Sequence, residues 1–100
     1  MARVVYAARA LSDFERIVGF LAEHEPELAE LAVARISEAV SVLGRHPLIG
    51  RPAEQGLREL IISRGRTGYI ALYRFLKAED TVLVLALRHQ REVGYVDADE

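Results

Sequence analysis

The chain contains no cysteine, so disulfide staples and thiolate chemistry are excluded and the redox compartment is left open. No apolar run approaches the roughly 20 residues of a membrane span, and no membrane partner is expected. The opening residues Met1-Ala2-Arg3-Val4-Val5-Tyr6 resemble a first strand rather than a signal peptide, which makes the cytoplasm the expected location. Paired-histidine motifs, phosphate loops and nucleophile elbows are absent. His24 and His46 lack metal-type partners at a useful spacing, and Gly65 and Gly68 suit turns rather than a cofactor fingerprint. Neither a metal nor a cofactor is therefore expected.

What is present fits one folded unit. One hundred residues, 51% of them hydrophobic, exclude wholesale disorder and match a single domain over residues 1–100. The net charge of −2 conceals a segregation along the chain. Residues 1–9 carry +2, residues 10–44 carry −5, residues 45–91 carry +5 and residues 92–100 carry −4. An acidic helical half and an acidic tail thus flank a basic half, and such local fields steer charged partners more than the total does.

Residues 3–7 suit a short strand. Ser12-Asp13-Phe14-Glu15 has the spacing of a capping box, which predicts a helix start at Ser12. Leu11, Phe14, Ile17, Val18 and Leu21 recur at helical spacing, and Glu25-Pro26 ends that helix and opens a second. Leu28, Leu31, Ala32, Ile36, Val40 and Leu43 form the stripe of the second helix, with Gly44 as its stop. So short a break predicts an antiparallel helical hairpin.

His46-Pro47-Leu48-Ile49-Gly50-Arg51-Pro52 is expected to be a loop, held open by its prolines and glycine. Three strands are predicted after it, at 57–63, 69–76 and 81–89, the last two joined as a hairpin through Lys77-Ala78-Glu79-Asp80. Opposed around that turn, Arg74 is expected near Leu83 and Tyr69 near Arg88. The order β-α-α-β-β-β predicts an α+β domain, with the helical hairpin on one face of a small, mainly antiparallel sheet.

The best cluster for chemistry is His89 with Arg88, Arg91 and Tyr95. Histidine moves protons near neutral pH, arginine neutralises developing negative charge on phosphorus, and tyrosine stacks on a base. A metal-free ribonuclease and a phosphate-binding surface would use the same parts, and a polar strand end would carry them without function. Arg58, Arg64 and Arg66 offer a phosphate-tracking stripe, or are simply solvated. Tyr69, Tyr73 and Phe75 share one strand face at period two, as core or interface residues rather than a stacking platform.

Taken together, Arg9-Ala10-Leu11, the 46–52 loop, Leu57-Arg58-Glu59-Leu60, Gly68-Tyr69-Ile70-Ala71-Leu72-Tyr73-Arg74 and Leu85-Ala86-Leu87-Arg88-His89-Gln90-Arg91-Glu92 resemble the RelE/ParE toxins of type II toxin–antitoxin modules. The resemblance spans nearly the whole chain. It implies two helices packed on a small antiparallel sheet, and two possible activities. RelE-like members cut messenger RNA in the ribosomal A site, whereas ParE-like members poison DNA gyrase. Under the nuclease alternative the catalytic set implied is Arg58, His89, Arg91 and Tyr95. Two departures favour the ParE-like reading: Ile70 stands where the RelE pattern has arginine, and the first long strand lacks lysine. Arg74 shares Ile70's face but lies roughly 13 Å further along a strand. A net negative chain is also poorly suited to a dense phosphate surface. The target-binding surface would then be Arg88, His89, Arg91 and Tyr95. The resemblance further implies a ParD-like antitoxin whose C-terminal tail wraps the toxin, with Leu21, Leu28 and Leu31 as the residues it covers. A third possibility is a chain whose only activity is antitoxin binding.

Overall fold

A computed structural model describes residues 1–63 and 68–90. Strand β1 (Arg3–Tyr6) leads into helices α1 (Ala8–His24) and α2 (Pro26–Val42). Four strands follow: β2 (Arg51–Pro52), β3 (Arg58–Ile62), β4 (Tyr69–Leu76) and β5 (Thr81–His89). The sheet order is β1-β5-β4-β3-β2, antiparallel throughout except for the parallel β1–β5 pair at one edge. The two helices pack on one face, so the expected α+β layering and the mainly antiparallel sheet are both observed. Among the described residues no helix is long and apolar enough to cross a membrane.

The start of α1 differs from the sequence expectation. The cap is Ala7, in extended geometry with no side-chain bond, and Ser12 and Glu15 lie inside the helix. Ala8, Arg9, Ala10 and Leu11 are strong helix formers, so nothing delays the helix until Ser12. The Ala7 N–H donates to the Val84 carbonyl at 2.8 Å, which closes the β1 ladder as the helix begins. Glu25 alone separates α1 from α2, and Pro26 occupies the first turn of α2, where its missing N–H costs nothing.

The core joins Ala10 and Ile17 of α1 to Ala32, Ile36 and Val40 of α2 and to Tyr69, Ala71, Tyr73, Val82, Val84 and Leu87 of the sheet. Each fully buried large side chain contributes about 1.5–3 kcal/mol of hydrophobic stabilisation. Leu31, placed on the buried stripe of α2 by its spacing, is instead 40% exposed. Tyr69 and Tyr73 are buried in the core, as their strand periodicity implied.

The 46–52 loop ends in a two-residue edge strand rather than staying irregular, with Arg51 opposite Glu59 and Pro52 opposite Arg58. An edge is where a strand tolerates proline. The β4–β5 hairpin pairs Arg74 with Leu83 as expected, but pairs Tyr69 with His89 rather than Arg88. A bulge explains the shift. Leu72 opposes Ala86 while Tyr73 opposes Val84, so Leu85 is the extra residue. Val82 and Val84 face the core before the bulge, and Leu87 after it. The change of parity turns His89 to the helical side and Arg88 to the opposite face.

Candidate functional site

The candidate site lies at the end of the sheet where β4 begins and β5 finishes. His89 meets Tyr69 edge-on, with ring centroids 5.4 Å apart and planes at 88°. Burial raises the Tyr69 hydroxyl pKa from its ordinary value, and the Arg35 guanidinium of α2 partly offsets that rise. Arg35, an exposed residue outside every motif of the sequence, thus lies near Tyr69. Beneath it is a cavity of about 10 Å³, lined by Leu28, Leu31, Ala32, Arg35 and Tyr69. That volume holds about one water or a methyl group. On its other side Arg35 borders an open groove of about 510 Å³ between α2 and β3, with Ala39, Val42, Ile61, Ile62 and Ser63 in its walls.

Gln90 ties this end of the sheet together. Its N–H donates to the Gly68 carbonyl at 3.0 Å, and its side-chain amide donates to the Ser63 carbonyl at 3.0 Å. A Cβ on Gly68 would come within 2.5 Å of the Gln90 amide group, so a larger residue there would displace that side chain.

Asp13 supports β5 from behind. Strand β1 ends at Tyr6, so among the described residues the second half of β5 has no strand on that side. The Leu87 N–H donates instead to the Asp13 carboxylate at 2.9 Å, with Asp13 only 4% exposed. Arg16 lies 3.7 Å from the other carboxylate oxygen. A legible signal existed, since Asp13 interrupts the buried α1 stripe between Ala10 and Ile17.

The structure separates the cationic residues singled out from the sequence. His89 lies on the helical side of the sheet, beside Tyr69. Arg88 lies on the opposite face, where its strand partner Ile70 is 4% exposed. Arg58 pairs with Tyr73 at the far end of the helical side, and its guanidinium donates to the carbonyls of Leu48 and Gly50 at 3.1 and 2.7 Å. Arg74 is exposed and donates to the Gln55 carbonyl at 3.2 Å. Leu28 and Leu31 share the small cavity, whereas Leu21 packs against the core. Arg64, Arg66, Arg91 and Tyr95 lie outside the described residues. Among the described residues, no three His, Asp or Glu side chains are grouped to hold a metal ion.

A family model described as the ParE toxin of the type II toxin–antitoxin system parDE matches residues 4–94. The chain belongs to the ParE toxin family. It is similar to toxin RelE3 of Caulobacter vibrioides, with 32% identity over 92 residues that span 92% of this chain and 98% of that one. It also resembles the chromosomal ParDE toxin–antitoxin system of P. aeruginosa, with a TM-score of 0.74 and 27% identity over 89% of this chain and 96% of the other. The intact E. coli RelBE toxin–antitoxin complex shares the fold alone, with a TM-score of 0.63 at 12% identity over 92% and 100% of the two chains. This ParE-family chain is thus a toxin of the type II toxin–antitoxin class, with both ParE- and RelE-named relatives.

Proposed function

We propose that this ParE-family toxin acts on DNA gyrase by binding, and that a cognate ParD-like antitoxin neutralises it. The observation that carries this reading is the dispersal of the candidate cationic groups among the described residues. A nuclease must gather its acid, base and phosphate clamp around one scissile bond, within hydrogen-bond reach. Arg58, Arg88 and His89 instead occupy two faces and two ends of the sheet, and two of Arg58's hydrogen bonds go to loop carbonyls. Ile70, buried opposite Arg88, adds no charge to that face.

Under this reading the end of β5 and the residues after it, Arg88, His89, Arg91 and Tyr95, engage gyrase and trap its cleaved DNA complex. Leu21, Leu28 and Leu31 of the helical hairpin meet the antitoxin, whose tail orders as it binds. The protein works as one domain over residues 1–100, in the cytoplasm, and requires no cofactor or metal. The alternative is RelE-like cleavage of ribosome-bound messenger RNA, in which Arg58, His89, Arg91 and Tyr95 would be catalytic.

Induced expression in a bacterium, with translation rate and the DNA-damage response followed in parallel, separates the two. Gyrase poisoning is expected to raise the damage response while translation initially continues. Changing Arg91 and Tyr95 to alanine is expected to relieve toxicity in a folded protein. An immediate translation stop with cut messages, abolished by His89→Ala, would sink the gyrase reading.

A further inference from the structure

Leu48 and Ile49 stand 59% and 57% exposed on a turn whose backbone is held from beneath. The Tyr73 hydroxyl donates to the Pro47 carbonyl at 2.8 Å and accepts from the Gly50 N–H at 2.9 Å. Arg58 binds the carbonyls of Leu48 and Gly50 from the side, and the Ile49 N–H donates to the His46 carbonyl at 3.1 Å. Gly50 completes the fit, because a Cβ there would lie 2.6 Å from the Tyr73 ring. Tyr73 is itself fully buried, so the turn is anchored to the core.

Ordering a turn costs chain entropy, and the two apolar side chains at its tip recover none of it while they remain in water. A rigid, adjacent pair of large apolar side chains is what a binding anchor requires, since a preorganised surface loses little further freedom on association. Charge defines the occupant. No acidic residue occurs between Glu38 and Glu54, and exposed Arg45 and Arg51 flank the tip. Arg51 is already paired with Glu59 at 2.9 Å, which leaves Arg45 as the principal attraction for an incoming carboxylate. The tip sits by Tyr73, roughly 13 Å along β4 from the Tyr69–His89 end. The tip is therefore distinct from Arg88 and His89, the described part of the proposed gyrase surface.

We propose that Leu48 and Ile49 form a docking tip for the antitoxin, taking a segment in which apolar side chains are set among carboxylates. This rests on the toxin–antitoxin reading and not on gyrase as the target.

The test measures binding of purified toxin to its cognate antitoxin by calorimetry, alongside toxicity and thermal melting. The double variant Leu48→Ser, Ile49→Ser is expected to weaken binding at least about tenfold and to stay toxic. Arg45→Glu is expected to weaken binding more at low salt than at high salt. Tyr73→Phe leaves the tip's side chains in place but frees the turn, and is expected to weaken binding several-fold. Should the double variant fail to fold, single alanine changes at 48 and 49 replace it. Antitoxin affinity within about twofold of wild type in a folded double variant overturns the proposal. So does loss of toxicity with antitoxin binding intact, which would assign the tip to the target. Dissociation of a wild-type dimer by the double variant would assign it to a second copy, and also overturns the proposal. A wild type that leaves gyrase untouched overturns the functional reading alone, because the affinity difference does not depend on it.

Discussion

A phenylalanine at position 73 would fill the same core volume as the tyrosine, yet would leave the Gly50 N–H and the Pro47 carbonyl without their partner. Each such buried loss costs about 1–3 kcal/mol. Burial raises the Tyr73 hydroxyl pKa from its ordinary 10.0, against smaller lowering effects of the Gly50 N–H and Arg58. Burial raises Tyr69 and Tyr6 likewise. The sign of the pH dependence follows. Folding favours the neutral phenol, so its contribution is fully present below the unfolded value of 10.0 and is lost as pH rises through the folded pKa. Stability measured by urea unfolding is expected to be level near pH 8 and to fall toward about pH 11. Tyr73→Phe is expected to make that fall shallower, though from a lower starting stability. A fall that is equally steep in the variant would mean Tyr73 does not contribute.

At the scale of elements, local pattern and structure part most plainly at the first turn of α1 and at the bulge in β5. Ser12 and Glu15 have capping-box spacing, but Ser12 is exposed within the helix while Asp13 is buried and bonded to β5. Ser12→Ala is therefore expected to change stability by less than about 0.5 kcal/mol, where loss of a true cap costs about 1 kcal/mol. Asp13→Ala strands the Leu87 N–H and is expected to cost about 1–3 kcal/mol. Asp13→Asn keeps an acceptor and should cost less. Chemical denaturation of the three variants, with hydrogen exchange at the Leu87 amide, checks the ranking. A costly Ser12→Ala with a harmless Asp13→Ala would reverse this account. Asp13 was legible as a polar residue on an apolar stripe, but its partner lies 74 residues away, beyond any periodicity argument.

Over the whole molecule, β5 carries its two polar end residues to opposite sides, so that Arg88 and His89 are neighbours in sequence but face different ways. Arg58 is a loop anchor at the other end. Arg88→Ala is thus expected to reduce toxicity with little change in melting temperature. Arg58→Ala is expected to lower the melting temperature, because it releases two carbonyl contacts of the turn at Leu48 and Gly50. Thermal melts alongside growth inhibition separate these outcomes, and a stable Arg58→Ala protein that loses toxicity would favour the nuclease alternative. The resemblance alone placed Arg58 and His89 in one candidate catalytic set; both lie on the helical side of the sheet, but at opposite ends of β4.

The sequence by itself determined the class of fold and the family. Helical and strand periodicities, Pro26 at the start of α2 and the four-residue β4–β5 link are local features, and local sterics suffice to read them. Tertiary structure decided which face each described candidate residue occupies. One extra residue, Leu85, inverts the alternation of β5, because successive side chains of a strand point to opposite faces. Nothing in the run Val82-Leu83-Val84-Leu85-Ala86-Leu87 marks that position, since every residue in it is apolar and either register looks equally good. The helices packed on the sheet and the Asp13 carboxylate held against Leu87 select the register that buries Leu87 and turns Arg88 away from the core.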